Sequence, residues 1–432
     1  MDNVEEATLS LSKRQRLIML ADVSGDEMDD VSSTASTKEE ESSRSDTPTL
    51  TGRGRAAMKL KRQLKKCRLQ FKCTNYLKED HGQPLFGIQI NQSMKETEPV
   101  LFATVGHNRV TVYECHDGGK VKLLQSYADP CTEENFYCCA WSFDDTTGQP
   151  ILAVGGVRGI IRIISPTMGQ CIKQFVGHGN AVNELKFKPK DNNILLSVSK
   201  DHDLRLWNVK TGVCAVILGG VEGHRDEALS ADFNLSGTKI VSCGMDHSLK
   251  IWNLEKEEIK KALAESHVNN AAKTDCPFPT ESCNFPDFST RDIHRNYVDC
   301  VRWLGNLVLS KSCENCIVCW RPGGHHESTK LKAEEKEKES VWVLHRFEYR
   351  ECEIWYMRFS LDYNQQIMAL GNQVGHIFVW DLDVDDPTQT KFAKLAHHKS
   401  TAAVRQTALS KDGNILLAVS DDGSIWRWDR IR

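Results

Sequence analysis

A seven-residue pattern ending in tryptophan recurs along this chain at an interval that fixes its architecture. Asp201-His-Asp-Leu-Arg-Leu-Trp207 and Asp246-His-Ser-Leu-Lys-Ile-Trp252 are near copies, 45 residues apart. Glu314-Asn-Cys-Ile-Val-Cys-Trp320 and Asp422-Gly-Ser-Ile-Trp-Arg-Trp428 repeat the spacing, and Trp380 in HIFVWD belongs to the same set. Tyr113 in NRVTVYE and Ile164 in RGIIRII are degenerate members. The seven strand ends fall at 113, 164, 207, 252, 320, 380 and 428, with most gaps between 43 and 51 residues. One four-stranded blade occupies roughly 40–45 residues. A blade cannot bury both faces alone, so seven of them predict an all-β, seven-bladed β-propeller.

Within three blades a set of polar residues repeats with the period. His178, Ser197, Asp201 and Trp207 recur as His224, Ser242, Asp246 and Trp252, and again as His294, Ser310, Glu314 and Trp320. A histidine held by a carboxylate, with a hydroxyl and an indole N–H, satisfies buried polar groups inside a sheet. The set resembles the structural hydrogen-bond tetrad of the WD40 family. A catalytic Ser/His/Asp triad uses the same residue types but occurs once per protein, not once per blade.

The last repeat supplies only three strands, VRQTALS, ILLAVS and SIWRWDR. An open sheet edge invites aggregation, so the missing strand is expected from ahead of blade one, where CRLQFKCTNYL (67–77) alternates suitably. The domains expected are a tail, 1–66, and a propeller, 67–432, with loop insertions at 254–291 and 322–348, where the longer gaps lie. The tail begins acidic and rich in Ser and Thr, with too few apolar residues to offset ordering entropy, and is read as disordered. It then turns basic: residues 53–68 hold eight Lys or Arg and no acid. Such a block serves as a linker, a nuclear import signal or a weak nucleosome or nucleic-acid contact.

Other chemistry is thinly represented. No stretch of about 18 apolar residues suggests a membrane span, and the acidic-then-basic start does not fit a secretory leader. The 16 cysteines lack framework spacing and read as buried thiols of the cytosol or nucleus. No phosphate-loop, zinc-protease or nucleophile-elbow motif occurs. Cys313, Cys316 and Cys319 with His325 and His326 suggest zinc superficially. Cys319, however, lies in the strand ending at Trp320, whose alternate residues face opposite sides. No metal, cofactor or catalytic centre is expected.

Aligning the seven first strands on their last apolar residue gives a further signal. Four residues before Ile90, Trp141, Phe187, Phe233, Trp303, Phe359 and Leu409 stand Phe86, Tyr137, Asn183, Leu229, Asp299, Trp355 and Arg405. Equivalent positions in a propeller form a ring around the axis, so Phe86, Tyr137 and Trp355, with Tyr356 beside it, should meet at one channel mouth. Such rings either hold a cation through their π faces, as in a methyl-lysine cage, or plug the channel.

GQPLFGIQI (82–90), ENFYCCAW (134–141), GHGNAVNELKF (177–187), FPDFSTRDIHRNYVDCVRW (285–303), EIWYMRF (353–359) and SIWRWDR (424–430) carry a closer likeness. From about Tyr76 to Arg432 the chain resembles the Polycomb-group WD40 family of embryonic ectoderm development and extra sex combs. The resemblance implies a non-catalytic subunit of the Polycomb repressive complex 2, a nuclear histone H3 lysine methyltransferase. It implies that an enhancer-of-zeste-type SET-domain methyltransferase and other subunits of the complex are partners, the methyltransferase docking by a helix on one face. On the other face a trimethyl-lysine of histone H3 would sit among Phe86, Tyr137, Trp355 and Tyr356, stimulating the enzyme and supporting transcriptional repression. Asn183, Lys200 and Arg405 would contact the peptide on either side. The competing readings are a generic WD40 scaffold or ubiquitin-ligase substrate adaptor, which calls for cations at the mouth, and a propeller enzyme, which calls for clustered carboxylates.

Overall fold

Each blade of this fold must complete its own ladder of paired strands, and the last blade does so with the first strand of the chain. A computed structural model describes residues 69–95, 98–269, 276–323, 341–384 and 390–431. The acidic tail and the basic block at 53–68 lie outside the described residues. Seven antiparallel sheets follow one another along the chain, each running from an inner strand at the axis to an outer one. The inner strands are Gly87–Ile90, Phe136–Phe143, Val182–Lys188, Ala228–Phe233, Val298–Leu304, Ser360–Leu361 and Val404–Leu409. Runs of Val, Ile, Leu and Ala fill the inner and middle strands because both of their faces are covered. The outer strands alternate instead, as in Val121–Ala128, where one face meets solvent.

The ring closes as expected. Phe71–Lys78 pairs antiparallel with Ser424–Arg430, Phe71 opposite Arg430 and Lys78 opposite Ser424, and so becomes the outer strand of blade seven. Seven apolar clusters fill the seven wedges between neighbouring blades. Leu85, Ile88 and Phe102 of blade one, for example, pack on Leu417, Val419 and Ile425 of blade seven. Ile377 and Val379 of blade six pack on Leu416 and Ala418 of blade seven. Burying such side chains stabilises each wedge by about 1.5–3 kcal/mol per large residue.

Both stretches expected as loop insertions contain regular structure. In the first, Glu257–Val268 is a helix whose Ile259, Ala262 and Ser266, at helical spacing, are buried beside blade three. Glu281–Cys283 then adds a fifth, parallel strand to blade three, along Val213–Leu218. Phe288–Thr290 is the outer strand of blade four. In the second, Val341–Glu348 is the outer strand of blade five. Outer strands expose polar side chains on one face, so their composition reads like that of a loop. In the cysteine-rich segment, Cys316 and Cys319 are buried in the blade-five strand Cys316–Pro322, and His325 and His326 lie outside the described residues.

The three repeated tetrads form as hydrogen-bond chains. His178 Nδ1 is 2.8 Å from Asp201, its Nε2 is 2.6 Å from Ser197 Oγ, and Trp207 Nε1 is 2.8 Å from the same hydroxyl. His224 lies 3.1 Å from Asp246 and 2.8 Å from Ser242, which Trp252 reaches at 3.0 Å. His294 lies 3.2 Å from Glu314 and 2.7 Å from Ser310, which Trp320 reaches at 3.1 Å. An indole N–H only donates, so the serine accepts from it and donates to Nε2. That order leaves Nδ1–H to donate to the carboxylate and fixes the tautomer. Blades one and two solve the same problem differently. Glu79 accepts from Thr104 and Tyr113, while Arg162 pairs with Asp129 and Glu134.

Burial alone would raise the pKa of Asp201, but the His178 hydrogen bond and the amides of Gly179 and Asp203 bring it down to about 2. The hydrogen bond from His294 holds Glu314 at about 2, and Asp246 is lowered in the same way against its burial. A carboxylate held below its ordinary value contributes stability above that value and loses it as the pH falls toward the folded-state value. The melting temperature should therefore drop most steeply between about pH 4 and pH 2. Asp201→Asn should melt lower at pH 7 and show a shallower acid limb; an unchanged limb would count against the tetrads as its cause. Deleting residues 71–78 should abolish cooperative unfolding and promote aggregation by exposing the Ser424–Arg430 edge. Deleting residues 1–60, which carry no apolar periodicity, should leave the transition in place. Equal melting of the two truncations would contradict closure by this strand.

Candidate functional site

The inner strands of all seven blades begin at the same end of the channel, and their first residues surround it. Phe86 precedes the blade-one strand, Tyr137 lies in the blade-two strand, and Trp355 and Tyr356 lie on the segment leading into blade six. These four rings come together. Phe86 and Tyr137 meet edge to face with centroids 5.3 Å apart, Phe86 and Tyr356 at 5.7 Å, and Tyr137 and Tyr356 at 5.8 Å. Trp355 stands at 84° to Tyr356, 5.9 Å away. Tyr137 and Tyr356 are buried, while Phe86 and Trp355 are half-buried. Tyr137 and Tyr356 thus form the base of a cup, and Phe86 and Trp355 its more exposed rim. Gly87 lets the blade-one strand come this close: a Cβ there would fall 2.6 Å from Val105 and 3.0 Å from the Tyr137 carbonyl. Ala181 and Val157 complete the apolar lining.

Trp355 and Tyr356 sit where blade six departs from the regular ladder. The inner strand of that blade pairs only at Ser360–Leu361, and residues 351–359 make no regular pairing beyond one bridge from Arg358 to Gln406. Their backbone groups are instead taken up by other blades. Tyr356 adopts the left-handed conformation, φ +64°, which is unusual for an aromatic residue and persists only where surroundings impose it. Its hydroxyl donates to the carbonyls of Tyr137 and Asn183, each 3.1 Å away. Burial raises the pKa of this phenol well above its ordinary value, so it remains a donor.

The remaining positions expected at the mouth are engaged within the fold. Asn183 is fully buried and its amide donates to the Ala228 carbonyl at 2.8 Å. Asp299 forms a fully buried ion pair with Lys311 at 2.8 Å. Arg405 is buried, binds Asp421 through two hydrogen bonds at 2.6 and 2.7 Å, and donates to the Trp355 carbonyl at 3.1 Å. Lys200 is partly exposed, pairs with Glu227 at 3.2 Å, and places its ammonium 5.8 Å from the Trp355 ring centre. Asn183 and Arg405, expected beside a bound peptide, thus commit these polar groups to partners inside the fold. The ring alignment missed Asp421, the partner that anchors Arg405. Its signal was the acidic pair Asp421-Asp422 one residue beyond the strand Ile415–Ser420. The arrangement is an aromatic cup with neutralised cations at its edge. It suits a weakly hydrated cation, for which several π faces converge, and offers no paired nucleophile and base.

The WD domain, G-beta repeat family model matches residues 169–208, 215–253 and 389–429. The chain is 51% identical over 365 residues to Polycomb protein esc of Drosophila melanogaster, covering 84% of this chain and 85% of that protein. Among solved structures it is similar to a chain in the crystal structure of the Chaetomium thermophilum polycomb repressive complex 2. The TM-score is 0.71, with 19% identity, covering 84% of this chain and 98% of the other. A further structure of that complex, determined with H3K27me3 and H3K27M, matches with a TM-score of 0.69 at 19% identity and the same coverage.

Arg405 supplies a prediction that separates its two roles. If the cup takes a trimethyl-lysine peptide and Arg405 acts by holding the Trp355 carbonyl, Arg405→Ala should weaken that peptide about tenfold, or ~1.4 kcal/mol. An unmethylated peptide should change less than about twofold on the same scale. Equal losses, measured by fluorescence polarisation, would show instead that Arg405 touches the peptide itself.

Proposed function

This chain belongs to the Polycomb-group WD40 family of extra sex combs, and on that premise we propose that it is a non-catalytic subunit of a nuclear Polycomb repressive complex 2 that reads trimethyl-lysine on histone H3. The observation that carries the reading is the aromatic cup. Phe86, Tyr137 and Tyr356 lie with centroids 5.3–5.8 Å apart, with Trp355 beside them. A trimethylammonium group loses less solvation than a lysine ammonium on entering such a site. Each ring then contributes about 0.5–1 kcal/mol when exposed and about 2 or more when desolvated. Histone H3 as the ligand rests on the family and on the Polycomb complex of the same fold determined with H3K27me3.

In this reading the propeller is a scaffold as well as a reader. An enhancer-of-zeste-type SET-domain methyltransferase docks through a helix on the face away from the cup, a common recognition mode. Other subunits of the complex attach to the same assembly. Occupancy of the cup stimulates the methyltransferase and so supports spreading of the repressive mark. The substrate-adaptor alternative would use cations at the mouth to hold phosphate. Arg405 and Lys200 are already paired with Asp421 and Glu227, which favours the reader.

The test is a titration with histone H3 peptides carrying zero to three methyl groups on one lysine. Affinity should rise with methylation. Trp355→Ala, Phe86→Ala and Tyr137→Ala should each weaken the trimethylated peptide about tenfold or more, ~1.4 kcal/mol per decade, and Trp355→Phe should lose less. The same variants should still capture the methyltransferase in a pull-down. Affinity indifferent to methylation, or surviving Trp355→Ala in a folded chain, would return these rings to a plug of the channel.

A further inference from the structure

Behind the cup the channel is filled by charged side chains that its inner strands turn toward the axis. Glu184 is fully buried and meets Arg302 of blade five at 2.7 Å. It also accepts from Ser230 of blade four. Burial alone would raise its pKa, but the charges of Arg302, Arg358 and Lys186 bring it down to about 2, so it stays ionised. Arg358 of blade six lies between this carboxylate and the cup. Its guanidinium carbon sits 4.5 Å from the centre of the Tyr356 ring. Its Nη2 donates to the carbonyls of Asn183 in blade three and Leu229 in blade four.

Each of the four residues Trp355 to Arg358 is tied to at least one other blade. The Trp355 carbonyl accepts from Arg405 of blade seven at 3.1 Å. The Tyr356 hydroxyl donates to blades two and three. The Met357 amide donates to Asp299 of blade five at 3.0 Å. The Arg358 amide donates to the Arg405 carbonyl at 2.8 Å. Arg358 therefore spans blades three, four and seven from beneath the left-handed Tyr356.

We propose that Arg358 is the positioning residue of the cup: its guanidinium, held in the channel by the backbone carbonyls of Asn183 and Leu229, backs the Tyr356 ring and fixes the face it presents to a bound cation. The proposal rests on the methyl-lysine reading for its binding consequence but not for its geometric one. A cation behind a ring also opposes a second cation in front of it, and Glu184 offsets that repulsion.

Two measurements on the full chain test this separately. The first places 3-fluorotyrosine at position 356 and reads its ¹⁹F resonance without any peptide. The parent chain should give one sharp line; Arg358→Met, which keeps the bulk but loses the plane and the charge, should give a broadened or split line. The second titrates a trimethyl-lysine H3 peptide and its unmethylated counterpart. Arg358→Met should weaken the trimethylated peptide about tenfold, ~1.4 kcal/mol, and shrink the ratio between the two peptides. Arg358→Lys should recover part of that ratio, because an ammonium can again donate to the Asn183 and Leu229 carbonyls. If Arg358→Met does not fold, Arg358→Lys takes its place: relative to the parent chain it should broaden the resonance and lower the ratio at least about threefold, near 0.65 kcal/mol. A single sharp line and an unchanged ratio in folded variants would overturn the proposal. A parent chain indifferent to methylation would instead remove the reader function, and the ¹⁹F line alone would then decide the positioning role.

Discussion

A sheet edge left unpaired is an unsatisfied row of amides, and in this chain one strand covers the edge that blade seven would otherwise expose at Ser424–Arg430. Phe71–Lys78 lies against Ser424–Arg430, joining segments separated by almost the whole propeller sequence. The wedge between blades seven and one, where Ile88 and Phe102 pack on Leu417 and Val419, depends on blade seven being complete. So does the wedge between blades six and seven. The mouth ring depends on both, because Phe86 precedes the blade-one inner strand and Trp355 leads into blade six, with Arg405 of blade seven between them. Closure is therefore a condition for the cup as well as for the fold.

Regular ladders would leave no room for a binding cup, and blade six gives up part of its ladder to make one. Its inner strand is short, and the segment ahead of it takes its hydrogen bonds from side chains and carbonyls across the channel. The left-handed Tyr356 is the local cost, about 1–3 kcal/mol for a residue held in such a region. Ties to several neighbours are what make that conformation the stable one. A binding surface assembled this way is as rigid as the channel beneath it, although it belongs to no regular strand.

Much of this was legible in the sequence, because the features concerned are periodic. The seven strand ends, the three tetrads and the aromatic positions 86, 137 and 355 all emerge from aligning one repeat on another. The outer strands Phe288–Thr290 and Val341–Glu348 did not, since a half-exposed strand shares its composition with a loop. The helix Glu257–Val268 was hidden among the charged residues around it, though Ile259, Ala262 and Ser266 keep helical spacing. The channel charges were missed for another reason. Residues one and three places after the mouth ring include Glu184 and Ser230, then Lys186, Asp232, Arg302 and Arg358. A charged residue in a strand ordinarily signals solvent. Only their convergence from four blades, separated by up to 174 residues of chain between Glu184 and Arg358, makes them an interior network, and strand alternation does not encode that distance.

The three tetrads stand in blades three, four and five, side by side, while the cup draws on blades one, two and six. Blade seven, which carries the seam, has Ala418 where blades three, four and five place the tetrad serine, and its Trp428 indole nitrogen is buried without a partner among the described residues. The tetrads thus occupy one arc of the ring, and the cup straddles the arc that holds the seam. A guest held by blades one, two and six bridges the seam from outside it, as a clasp bridges the two ends of a band. Anything that binds the closed ring and not the opened one shifts the balance toward closure. A ligand in the cup would then hold the ring most firmly shut, and the mechanical integrity of the molecule would report on what the cup holds.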